Sequence, residues 1–257
     1  MTGPVRVQMP LVQFDEPTFN PHTGGLFTAA TVETSDAFDR AQGGIETTAL
    51  NSGGHGYWDT GCGPQDDPDQ VKQGVRPGRY NSDSMIVWAA DDCGLIGNSV
   101  EESKARAQQI LRLYEEMDAE AATVPVLLDK AGTPATAPTG ADAFVLAVGA
   151  IEQALGKTGV AGVIHARRGL ATLAARYGLV VSNSAGKLTT PLGNTWAFGA
   201  GYDALDDTLV GTGPVLVRKG PVFVQEAVAH RKNERTAIAE RLINVTWALT
   251  TVAQNIG

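Results

Sequence analysis

The stretch Asn98-Ser-Val-Glu-Glu-Ser-Lys-Ala-Arg-Ala-Gln-Gln-Ile-Leu-Arg-Leu-Tyr-Glu-Glu-Met117 decides how this chain is read. Ser99 is a good helix N-cap, and Glu102 three residues later completes a capping box. Glu101 and Glu102 also suit the positive end of a helix dipole. Val100, Ala107, Tyr114 and Ala121 recur every seven residues, interleaved with Ser103, Ile110 and Met117. That is one largely apolar stripe along about six turns, with Lys104, Gln108, Arg112 and Glu115 opposite. The pattern predicts a long amphipathic helix lying as a strut across a sheet. Val124-Pro-Val-Leu-Leu128 is expected to end it.

Upstream, Ser84-Met-Ile-Val-Trp-Ala-Ala90 reads as a buried strand, and Asp91 to Gly97 as the turn into the helix. Downstream, Gly132 to Gly140 is a loop, and a second helix is expected from about Ala141 to Leu155, stopped by Gly156. Val160 to His165 then reads as a buried strand and Gly169 to Tyr177 as a short helix. Thr195-Trp-Ala-Phe-Gly199 is a further strand. Pro214 to Arg218 and Val222 to Glu226 read as two more, joined by a hairpin-like Lys219-Gly-Pro221. Between Thr236 and Leu249 the alternation slips by one residue, which predicts a strand with a bulge; a helix is the alternative. The mixture places the chain in an α+β class.

The first 98 residues read differently. They are rich in Gly, Pro, Asp, Asn and Thr, and their apolar runs are as short as Leu26-Phe27 and Ala49-Leu50. Such a stretch is an arm, an extended hairpin or a disordered segment. Phe14, Phe19, Phe27, Tyr57 and Trp58 look like anchors that need a surface, which points to a partner. These 98 residues carry 13 acidic and 5 basic residues, and the remainder carries 15 of each. The whole net charge of -8 therefore lies in the first part of the chain. That argues against a nucleic-acid-binding module, which needs a basic stripe.

Nothing in the chain approaches the ~20 apolar residues of a membrane span. The N-terminus lacks the layout of a secretory signal, so synthesis in the cytoplasm is expected. Cys62 and Cys93 form no metal-type pair, and His22, His55, His165 and His230 are scattered, so each histidine is expected at the surface or hydrogen-bonded. Ser184-Ala-Gly-Lys-Leu-Thr-Thr190 resembles a phosphate loop but lacks its spacing, and a hairpin turn explains it better. Gly199-Ala-Gly lacks the third glycine of a dinucleotide fingerprint. Gly54-His-Gly-Tyr-Trp-Asp59 reads as a loop tip. Asp203, Asp206 and Asp207 lack calcium-loop spacing and read as a solvated turn. No catalytic, cofactor-binding or metal-ligating residue is assigned, no cofactor is expected, and the chain is expected not to be an enzyme.

Several phrases then carry a resemblance. Cys93-Gly-Leu-Ile-Gly97 leads into the helix with its Arg106-Ala107 and Glu115-Glu116. Val163-Ile-His-Ala-Arg167 precedes a short helix, and Leu188-Thr-Thr-Pro-Leu-Gly193 leads to Phe198-Gly-Ala-Gly-Tyr202. With Gly211 to Arg218 and Asn233 to Arg241, these resemble the major capsid proteins of tailed phages, above all those infecting actinobacteria, over about Ser84 to Ile256. The resemblance implies the Hong Kong 97 phage-type fold: an N-terminal arm (1–45), an extended loop (46–80), a peripheral domain with spine helix and β-sheet (81–130 and 214–257) and a mixed α/β apical domain (131–213). It implies self-assembly as pentamers and hexamers into an icosahedral head shell that encloses double-stranded DNA without sequence-specific binding. Portal, scaffolding and decoration proteins are the implied partners, with no membrane, and the virion capsid is the implied location. An encapsulin-type nanocompartment shell and a head-tail adaptor are the alternatives. In such a shell the acidic first segment is expected to meet Arg167, Arg168, Arg218 or Lys219 of a neighbouring copy.

Overall fold

The computed structural model describes residues 20–57, 72–97, 99–136, 140, 142–183, 186–248 and 251–256. The first described elements are a single helical turn, α1 (Leu26–Ala29), and a short strand, β1 (Thr31–Thr34). A 3-10 segment over Asp36–Gly43 leads to a hairpin of β2 (Ile45–Thr48) and β3 (Arg79–Ser82). Then come β4 (Ser84–Gly94), the long helix α2 (Val100–Ala131), α3 (Ala143–Gly156), β5 (Val163–Arg167) and α4 (Leu170–Arg176). Two short strands follow, β6 (Val181–Ser182) and β7 (Leu188–Thr189), then β8 (Thr195–Gly199) and β9 (Thr208–Thr212). The chain closes with β10 (Val215–Ala229), β11 (Glu234–Trp247) and β12 (Thr251–Asn255).

Two main sheets result. One has the order β1-β10-β11-β4, the other β12-β9-β5-β8-β7-β6. The long helix shares a core with the first: Ala107, Leu111, Ala119, Val124 and Leu127 join Val87, Ala89, Val217, Ala237, Ala239 and Ile243. Alanines at 89, 237 and 239 leave room for the helix to lie close. A second core gathers α3 and α4 against the six-stranded sheet, where the rings of Phe144, Trp196 and Phe198 stack with centroids 6.4 and 4.7 Å apart.

The N-cap forms as expected, with the Glu102 N–H donating to Ser99 Oγ at 3.3 Å. The reciprocal half of the capping box does not form, because the Glu102 carboxylate takes the Arg106 guanidinium at 2.6 Å instead. The helix also does not stop at Pro125; it runs on to Ala131 and is capped by Gly132, whose φ of 68° suits a left-handed C-terminal residue. Pro125 lies on the exposed side, while its neighbours Val124 and Leu127 are buried. Burying two such side chains at about 1.5–3 kcal/mol each offsets the ~3 kcal/mol that an interior proline costs. The buried face also departs from the heptad. Ser103, Ala107, Leu111, Glu116, Ala119, Glu120, Thr123, Val124 and Leu127 point inward, while Ile110 and Tyr114 stay exposed. A straight helix turns 3.6 residues at a time, so a stripe drawn every seven residues drifts off the contact line.

Other expectations change for reasons of pairing. The strand over 84–90 continues to Gly94, since its ladder with β11 extends to Glu234 opposite Gly94. It is buried on one face alone: Val87 and Ala89 point to the helix, Ile86 and Trp88 to solvent. The two strands expected over 214–226 are one continuous strand. Gly220 and Pro221 form a bulge within it rather than a hairpin, standing opposite Leu242 where the register shifts. The bulge inferred in 236–249 therefore lies on the partner strand. β12, expected with the strands of 214–257, pairs instead with β9 in the six-stranded sheet. Leu26, Ala29 and Ala30 belong to the first core, although their surroundings read as loop. Phe14, Phe19, Trp58, Asp59, Cys62, Ser184 and residues 137–139 of the loop before Gly140 lie outside the described residues; the strands flanking the 183–187 turn do pair as a hairpin.

Candidate functional site: buried carboxylates and exposed faces

The inward face of α2 carries two glutamates that sequence reasoning left unassigned. Glu120 Oε1 accepts the backbone N–H of Leu26 at 2.8 Å, and Glu120 Oε2 accepts that of Gly201 at 2.9 Å. Glu116 Oε1 accepts the N–H of Phe27 at 2.7 Å. One helix thereby holds the first turn of α1 and the turn after β8. Glycine is required where the backbone crosses the carboxylates: a Cβ on Gly199 would stand 2.5 Å from Glu120 Oε2. Burial pushes the Glu120 carboxyl up to about 7, against the two N–H donors that favour its charge. Burial likewise raises Glu116. The signal was present in the sequence, since Glu116 and Glu120 follow Leu111 on the inward side of a 3.6-residue spiral. The heptad count hid it.

Next to this pair, Glu115 takes both Lys219 and Arg241, the latter at 2.8 Å. Lys219 Nζ also lies 4.4 Å from the Phe27 ring centroid. Burial lowers the Lys219 ammonium, against the hydrogen bond and charge of Glu115. The basic residues expected to meet a neighbour's acidic segment are thus engaged inside their own subunit. Arg167 pairs with Asp207 at 2.6 Å, Arg218 stands 3.7 Å from Glu33, and Arg168 donates to the carbonyls of Thr23 and Phe198. Arg218 does meet the acidic first segment, but within one chain, because β1 runs parallel to β10 with Glu33 opposite Arg218.

His165 is hydrogen-bonded and fully buried in β5, between Tyr202 Oη at 2.8 Å and Thr212 Oγ1 at 3.0 Å. Burial depresses it to about 3. A depressed folded-state value means the neutral ring stabilises the fold above its ordinary value of 6.5. That contribution is lost as pH falls from there toward about 3, by about 1.4 kcal/mol per pH unit. Urea titrations across this window are expected to show the loss, and a His165→Gln chain is expected to lack it. Cys93 Sγ lies 3.0 Å from Ser103 Oγ. Asp206 and Asp207 face Arg167. Among the described residues no group of three His, Cys, Asp or Glu side chains is placed to hold a metal ion.

Two concavities stand out. One of about 1120 Å3 lies between the β2–β3 hairpin and the C-terminal half of α2, lined by Leu50, Val75, Tyr80, Met85, Val126 and Trp247 among others. The other, of about 550 Å3, lies against α3 and has one titratable lining residue, Glu152. Arg76, Tyr80, Asp83, Asp129 and Lys130 also line the first, whereas the second is mainly apolar. The surface also carries apolar side chains: Ile86 is 54%, Trp88 64% and Phe223 43% exposed on the outer face of the four-stranded sheet, and Tyr57 is fully exposed beyond the hairpin. Patches of this kind mark association surfaces.

No protein-family model matches the chain, and no curated protein does. Solved structures match it along nearly its whole length. The capsid of an empty GTA particle superposes with a TM-score of 0.59 at 12% identity, covering 98% of this chain and 96% of that one. A chain of Microbacterium phage Oxtober96 gives 0.53 at 13%, covering 95% of each. The virus-like particle from Pyrococcus furiosus gives 0.53 at 11%, covering 90% and 92%. The helix laid across one sheet, the second sheet with its own helices and the N-terminal segment tied to that helix share the fold of these capsid structures, the Hong Kong 97 phage-type fold expected from the sequence.

Proposed function

We propose that this chain is a major capsid protein that assembles as pentamers and hexamers into the icosahedral head shell around phage DNA. The observation that carries the reading is the likeness to the GTA particle capsid, which spans 98% of the chain rather than one motif. The exposed apolar sheet face around Trp88 supports it, since a subunit that works alone has little use for such a surface. In this reading residues 1–45 are the arm and 46–80 the extended loop. The peripheral domain is 81–130 with 214–257 apart from β12, which pairs with β9, and the apical domain is 131–213 together with that strand. The protein resides in the virion after synthesis in the host cytoplasm, has no catalytic role, and meets portal and scaffolding or decoration proteins at the shell.

Negative-stain electron microscopy with size-exclusion chromatography of the purified chain tests the reading. Uniform shells, or discrete pentamers and hexamers, are the expected result. A monomer or dimer that persists at high concentration overturns it. Shells that enclose a protein cargo and exclude DNA would assign the chain to a nanocompartment instead.

A further inference from the structure

The Glu116–Glu120 pair is placed as a device rather than as a plain anchor. Both carboxylates lie against the same backbone: a Cβ on Gly25 would stand 2.7 Å from Glu116 Oε1 and closer still to Glu120 Oε1. Three backbone N–H groups reach the pair, from Leu26, Phe27 and Gly201. Two of the three belong to residues 20–30, so the pair governs how that stretch is held.

The charged and titratable groups facing the pair are His22 from the N-terminal segment, Arg168 after β5, Tyr202 after β8 and Lys219 from β10. Among the described residues none of them makes an ion pair with either carboxylate. Arg168 is spent on the Thr23 and Phe198 carbonyls, and Lys219 on Glu115. Two negative charges in a buried site without a paired cation repel and are poorly solvated; one charge among three N–H donors is well satisfied.

We propose that Glu116 and Glu120 form a pH-gated latch, which holds the 20–30 segment on the long helix when one carboxyl is protonated and lets it open when both are ionised. The sign follows from which form the closed state prefers. Closure favours the protonated carboxyl, so the segment is held most firmly in mild acid. It loosens as pH rises through about 7, the value to which burial lifts Glu120. An arm released by rising pH is free to exchange partners between copies, which rests on the coat-protein reading. The latch itself does not.

Hydrogen exchange of the peptide covering residues 20–30, in the full chain and corrected for intrinsic rates, tests this. Protection is expected to fall about tenfold between about pH 6 and about pH 8. In Glu120→Gln, which keeps an acceptor oxygen without the charge, it is expected to stay flat. Glu116→Gln provides a second variant that lowers the charge of the pair by one, and it is expected to flatten the profile as well. Equal protection at both pH values in the unmodified chain overturns the latch, as does an unchanged tenfold fall in both glutamine variants. If the pH dependence appears but no shell ever forms, the coat reading falls and the latch stands.

Discussion

Alanine in place of Glu115 is expected to cost about 3–5 kcal/mol, the usual range for removing one partner from a buried ion pair. Glu115 is 13% exposed in its side chain, Lys219 10% and Arg241 18%, so water does little to screen the group. Removing the carboxylate leaves two cations on adjacent strands without the acceptor they share, and only the more distant Glu116 charge near Lys219. Lys219 sits in the bulge region of β10 and over the Phe27 ring, so the damage spreads from the sheet to the N-terminal segment. Urea unfolding of the dissociated subunit measures the loss. Replacing Glu115, Lys219 and Arg241 together by apolar residues of similar size is expected to cost far less, because no charge is then stranded. A Glu115→Ala chain as stable as the parent would show that the triad is solvated in solution.

Gly201→Ala is expected to be about as damaging, at roughly 3–5 kcal/mol, through space rather than charge. A Cβ at this position would stand 2.8 Å from the Ala121 nitrogen and 2.9 Å from Glu120 Cβ, and closer still to the Met117 carbonyl oxygen. These are atoms of the helix itself, which cannot swing aside as a long side chain can. The turn after β8 must therefore lift off α2. That breaks the Gly201 N–H bond to Glu120, a charge-assisted bond of about 1.5–3 kcal/mol. Gly149 in α3 is the control: no atom lies within 4 Å of its Cβ position, so alanine there is expected to stabilise by up to about 1 kcal/mol. Thermal melts of the two variants should move in opposite directions. Parallel shifts would show that Gly201 is not held against the helix.

Both sites sit where the local pattern was hardest to interpret. The amphipathic helix was legible because its cap is a matter of adjacent residues: Ser99 and the Glu102 N–H meet whatever the rest of the chain does. The buried strand around Ile164, the helix stopped by Gly156 and the short helix over 170–176 were legible for the same reason, since continuous apolar runs between glycines leave few other solutions. The helix phase was not. Seven-residue spacing and 3.6-residue turns agree for two turns and then part, so the heptad stripe takes Tyr114 inward and Glu115 outward and leaves Glu116 and Glu120 unassigned.

The basic residues offered to a neighbour show the same boundary. Arg167, Arg218 and Lys219 are far in sequence from Asp207, Glu33 and Glu115, and nothing local announces those meetings. By itself, the sequence determined the elements with short-range causes: caps, glycine stops, apolar runs and the acidic, loop-rich first part. Only the tertiary structure decided that the helix passes through Pro125, that β10 bulges instead of turning, and that two glutamates face inward. Each of these depends on a burial or ladder partner dozens of residues away, whose contribution outweighs the local preference it overrides.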